Sequence, residues 1–137
     1  MQRTLIFDGA CPFCTSAAQW ALARARVPFA AVPYQAIAVD RYGLTVDQVR
    51  RSAWWVEENL QVDGHRAVAH VLMCCGGVWP LVGRAIRVPP LAWLAALGYA
   101  VVARIRGRLP GVRPAVHGAW DPFDGRPRRA DPPQAHA

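Results

Sequence analysis

The stretch Leu5-Ile6-Phe7-Asp8-Gly9-Ala10-Cys11-Pro12-Phe13-Cys14 sets three strongly apolar residues before a short turn and two cysteines three positions apart. Asp8 and Gly9 are turn formers. Pro12 suits the first position of a helix, where its missing N–H would have no partner in any case. Ala17, Ala18, Trp20, Ala21, Leu22 and Ala25 then supply a helical apolar face. The stretch therefore predicts a strand, a turn, and a helix whose N-cap is Cys11. There a sulfur accepts hydrogen bonds from the free amides of Phe13 and Cys14 and feels the positive end of the helix dipole, and both favour thiolate over thiol. Residues i and i+3 share a helix face, close enough for a disulfide. Cys11 is the expected nucleophile, exposed and of low pKa; Cys14 is the expected shielded, resolving thiol.

Three other uses of such a stretch compete. A CxxC is half of a structural zinc site, which needs four ligands. The remaining candidates, the adjacent Cys74-Cys75 and His65, His70, His117 and His136, form no second ligand knuckle. Two inert buried cysteines need neither a proline between them nor a turn before them. An apolar strand ending in Asp-Gly is also found in aspartate phosphatases, but those require a second aspartate where this chain has Ala10.

Asp8, Cys11 and Cys14 in this spacing resemble the DCC family of predicted thiol-disulfide oxidoreductases, named for its D-x-x-C-x-x-C signature. The likeness extends from about Thr4 to Leu109. It takes in the opening motif, an aromatic strand around Ala53 to Glu58, the Gly-His-Arg-Ala-Val turn at Gly64 to Val68, and the late Tyr99 to Arg106 segment. The resemblance implies a thioredoxin-like fold with a redox-active Cys11/Cys14 pair, and no substrate. One departure stands out. Thioredoxin-like enzymes usually carry a cis-proline before the third strand, facing the cysteines, and the equivalent place near Ser52-Ala53 has none.

At 137 residues, 53% of them hydrophobic, the chain holds one domain's core. All sixteen basic residues are arginine and alanine is heavily used, as in proteins of GC-rich bacterial genomes, so the net charge of +7 is weak evidence about partners. The arginines are scattered over the helices and concentrated only near the C-terminus. Without aromatic-basic interleaving, no nucleic-acid partner is expected. No hydrophobic run of signal-peptide length follows Met1, so a cytoplasmic protein is expected. In that reducing compartment a CxxC is more plausibly catalytic, redox-sensing or metal-binding than a structural bridge.

The first helix should end near Arg26, because Val27-Pro28 disfavours continuation. Phe29 to Val32 is a short apolar strand, parallel to the first by the crossover rule. Tyr34 to Gly43 reads as loop with a helical turn, and Thr45 with Gln48 forms a capping-box pair for a helix through Arg51. Ala53 to Glu57 and the residues around Val62 read as a hairpin feeding a helix from His65 to Cys74. Trp54 and Trp55 point to opposite faces of that hairpin, and core packing is the expected role of both. The sum is an α/β, thioredoxin-like fold: a small mixed sheet in the order β-α-β-α-β-β-α with further C-terminal helices.

Gly76-Gly77 should close the third helix with a left-handed cap. Cys74 and Cys75, at its end, read as two small hydrophobes rather than a second redox pair. Val78 to Val88 forms another short helix, Pro89-Pro90 breaks it, and Leu91 to Arg106 is apolar almost all round. That last segment falls short of a membrane span and is expected to be buried or interfacial. The domain thus covers residues 1–109. From Pro110 the composition turns to Pro, Gly, Arg and Asp, so 110–137 is expected to be a partly disordered tail, pinned at most by Trp120 and Phe123.

The expected activity is thiol-disulfide exchange with a disulfide-containing protein or a small thiol, needing no cofactor because the cysteines carry the electrons. Asp8, placed beneath the pair, either shuttles protons, or raises the Cys11 pKa against the helix dipole, or merely shapes the turn; the sequence leaves these open. The competing expectation is a non-catalytic binding or membrane-peripheral protein with a redox-inert CxxC, docking through the Leu91 to Val102 helix and the arginine-rich tail. Membrane contact is open to such a helix but is not the first expectation.

Overall fold

A computed structural model describes residues 3–109 and, beyond them, the backbone of two short segments at 120–121 and 126–127. Strand β1 (Thr4–Phe7) leads into helix α1 (Pro12–Arg24), strand β2 (Ala30–Pro33), two short 3-10 turns (Tyr34–Ala36 and Val39–Tyr42) and helix α2 (Val46–Arg51). The hairpin β3 (Trp54–Glu57) and β4 (Leu60–Asp63) passes directly into α3 (Gly64–Cys74), followed by α4 (Trp79–Ala85) and α5 (Leu91–Ile105). The four strands lie in the order β2-β1-β3-β4, with β1 parallel to β2 and the other pairs antiparallel. This mixed sheet flanked by helices is the thioredoxin-like arrangement that the resemblance implied.

Each strand of the centre has both faces covered, which is why β1 reads as an unbroken apolar run rather than an alternating one. Leu5 and Phe7 point to one side and join Ala18, Ala21, Trp55, Ala67 and Val71; Ile6 points to the other, with Val32, Val49 and Val56. Trp55 has no exposed surface, and large side chains buried so completely contribute about 1.5 to 3 kcal/mol each. Trp54, on the opposite face, is half-buried and donates its indole N–H to Gln48 O at 3.1 Å. Both tryptophans pack, as expected. The capping box of α2 is also present: the Gln48 amide donates to Thr45 Oγ1 and the Thr45 amide to Gln48 Oε1.

Two expectations about helix ends are corrected. Helix α1 stops at Arg24 rather than near Arg26, because the chain there pairs with the end of α3: Gly76 N–H donates to Arg24 O and Arg26 N–H to Cys74 O. For the same reason α3 ends on an extended Cys75, and the left-handed glycine, Gly77 (φ 70°), comes two residues after that cap. Of the two places expected for α5, buried or interfacial, the structure excludes the first: none of its residues is fully buried, and its outward apolar side chains are exposed. The tail expected at 110–137, with Phe123 as an anchor, lies outside the described residues, apart from the backbone of Trp120–Asp121 paired antiparallel with Arg126–Pro127.

Candidate active site

Helix α1 begins as the sequence requires. Cys11 has the extended backbone of an N-cap, Pro12 fills the first helical position, and Cys14 N–H donates to Cys11 Sγ at 3.3 Å. Of the two amides expected at the sulfur, the structure gives the Cys14 contact. Thr15, fully buried, donates its hydroxyl to Cys11 O at 2.9 Å and so fixes the first turn from below. The preceding turn is held by Asp8, whose Oδ1 accepts from Ala10 N–H at 3.0 Å and from Gln35 Nε2 at 2.9 Å. Gln35 in turn accepts from Gly9 N–H through Oε1 at 3.0 Å.

The C-terminal end of α5 closes over this turn. Arg106, just past the helix, places one guanidinium nitrogen 3.7 Å from Cys14 Sγ and another 3.5 Å from Asp8 Oδ2, and also donates to Arg50 O. Its own carbonyl lies 3.8 Å from Cys11 Sγ and accepts from that thiol. Asp8, Cys11, Cys14 and Arg106 therefore form one cluster, assembled from residues nearly a hundred positions apart.

The exposure expected of the two thiols is overturned. Cys11 is only 6% exposed, covered by the Arg106 segment, whereas Cys14 is half-buried. All four cysteines are free. Burial pushes the Cys14 thiol up to about 12, helped by its hydrogen bond with Cys11 and the charge of that neighbour, while the Arg106 guanidinium pulls the other way. Arg106 itself is held more firmly protonated: desolvation opposes its charge, but the nearby Cys14 and Asp8 outweigh it. Cys74 and Cys75 are buried in the core and their thiols are raised by that burial; Cys75 Sγ donates to Val71 O at 3.4 Å.

Between α1, α3 and α5 lies a cavity of about 670 Å³, lined by Phe13, Trp20, Val68, Tyr99 and Val102 among others. Cys14 opens onto it and Cys11 does not. Near Ser52-Ala53, where the proline is missing, Tyr99 reaches in from α5 and its hydroxyl accepts from Ala53 N–H at 2.9 Å. Among the described residues no three His, Cys, Asp or Glu side chains gather into a metal-holding cluster.

The sequence placed Asp8, Cys11 and Cys14 together correctly and missed Arg106, Gln35 and Tyr99. Nothing local distinguishes Arg106 among sixteen arginines. Only the folding of α5 back across the sheet brings it to the cysteines.

The family model for DCC1-like thiol-disulfide oxidoreductases matches residues 5–112, which takes in the strand, both cysteines and Arg106. The chain belongs to this family. No curated protein and no solved structure matches it. The DCC1-like match covers every element that builds the cluster, from β1 through α5.

Proposed function

We propose that this DCC1-like protein exchanges thiols and disulfides through Cys11 as nucleophile and Cys14 as resolving thiol. The observation that carries this is the hydrogen bond from the Cys14 amide to Cys11 Sγ at the head of a thirteen-residue helix, which holds the two cysteines within one helical turn of each other. The Cys11 thiolate attacks one sulfur of a client disulfide, forming a mixed disulfide and releasing the other client sulfur as a thiolate that takes up a proton. Cys14, having lost its proton, then attacks Cys11 Sγ, and the second client sulfur leaves. Two electrons pass to the client, and the chain ends with a Cys11–Cys14 disulfide; the reverse sequence oxidises a dithiol. Arg106 eases the second step by favouring the Cys14 thiolate, and its carbonyl must move off Cys11 for the first.

A second reading, a binding protein with an inert CxxC, draws support from the 6% exposure of Cys11 and the raised Cys14 thiol. The two separate in one experiment. Under the catalytic reading Cys14→Ser traps a reductant-sensitive adduct on Cys11, Cys11→Ser traps none, and changing Cys74 and Cys75 together leaves trapping intact. Non-reducing gels of each variant, with turnover of a generic disulfide by the wild type, give the answer. No Cys11-dependent adduct and no turnover would establish the inert protein.

A further inference from the structure

The charge of this chain is divided in a way its total conceals. Over residues 1–63 six arginines are balanced by six carboxylates, so the whole net charge of +7 arises after that point. From Gly64 to Leu109 there is no aspartate or glutamate at all, while Arg66, Arg84, Arg87, Arg104, Arg106 and Arg108 are all cationic. All of them but Arg106 are exposed.

The same segment carries the exposed apolar surface. In α5 the outward residues are Leu91, Trp93, Leu94, Leu97, Val101 and Ile105, with Trp93 at 71% and Leu97 at 65% exposure. Positions 94, 97, 101 and 105 fall on one helical stripe. Val78, Leu81 and Val88, around α4, are exposed as well, and both helices pack on α3. Large exposed apolar faces are uncommon on monomeric soluble proteins and mark interaction sites.

We infer that the α4–α5 layer docks on an anionic lipid surface, with α5 lying in the plane of the interface. An apolar helix face with an exposed tryptophan, flanked along the chain by exposed arginines in a segment free of carboxylates, matches a bilayer whose headgroups are negative and whose acyl boundary is apolar. The geometry favours lying on the membrane over crossing it. Fifteen residues of α5 extend about 22 Å, short of a hydrocarbon core of about 30 Å, and no helix among the described residues is long and apolar enough to span a membrane. A second copy of this chain fits less well, because a twofold pairing would bring together two segments that carry positive charge and no carboxylate. This inference stands apart from the redox chemistry and holds whether or not the cysteines turn over.

The test is flotation of the full chain with vesicles of phosphatidylcholine alone and of phosphatidylcholine with phosphatidylglycerol, at low and high salt. Binding is expected to the anionic vesicles, weakened by salt, and weakened about tenfold or more by Leu94→Glu with Leu97→Glu. Arg84→Gln with Arg87→Gln and Arg104→Gln should abolish the preference for anionic lipid. Trp93→Ser serves in place of the glutamate pair if circular dichroism shows that the pair does not fold. Failure of the wild type to float, or flotation indifferent to the apolar substitutions, overturns the inference. So does a dimer in light scattering, lost in the same variants and accompanied by no flotation, which would give the face to a second copy.

Discussion

At the scale of single residues, Cys14 and Arg106 decide what the pair can do. The Cys14 thiol is raised from 9.0 to about 12, so the folded state holds that proton more tightly than the unfolded chain does. The stability this contributes is complete below pH 9 and is lost as the pH climbs toward 12. Denaturant melts of the reduced protein across that window should show a falling stability, and Cys14→Ser should flatten the slope; equal slopes would show that Cys14 is not the group responsible. Arg106 carries a second expectation. A guanidinium removed from beside a developing thiolate costs on the order of 1.4 kcal/mol, or about tenfold, at partly exposed sites. Arg106→Gln should therefore slow resolution of the mixed disulfide about tenfold, and Arg106→Lys less. Single-turnover kinetics would report it, and the pH profile of resolution should move upward in Arg106→Gln, which a merely structural role would not cause.

At the scale of elements, the packing of α4 on α3 depends on a residue that sequence patterns undervalue. A Cβ on Gly83 would sit 2.7 Å from Ala69 O and 2.9 Å from Met73 Cγ. Alanine is worth about 1 kcal/mol more than glycine inside a helix, yet overpacking against a backbone carbonyl costs about 1 to 3 kcal/mol. Gly83→Ala should consequently lower the melting temperature, whereas a rise would mean that α4 shifts freely on α3. The elements were legible where local chemistry is self-sufficient. Thr45 and Gln48 cap α2 between neighbours three positions apart, and Pro12 with Cys11 starts α1 in the same way. Helix ends were not legible where they answer to distant partners: Arg24 and Gly76 end their segments by bonding one another across the fold. The outward face of α5 belongs with these, since an apolar run looks alike in sequence whether it meets a core or a surface.

At the scale of the whole molecule, α5 completes a site that the first sixty residues only begin. Its Tyr99 satisfies the Ala53 amide, and the segment after it covers Cys11. A chain ending at Pro90 should lose both contacts, melt several degrees lower and expose Cys11 to alkylation; an unchanged melt and unchanged labelling would show that α5 is an appendage. The sequence by itself determined the order of strands and helices, the N-cap position of Cys11 and its spacing from Cys14. Those follow from turn chemistry, apolar periodicity and the reach of one helical turn, all of which act within a few residues. Only the tertiary structure decided that Cys11 is covered while Cys14 faces a cavity, and that Arg106 ties Asp8 to Cys14. Burial and charge pairing depend on which distant segment returns to the site, and no short stretch of sequence contains that.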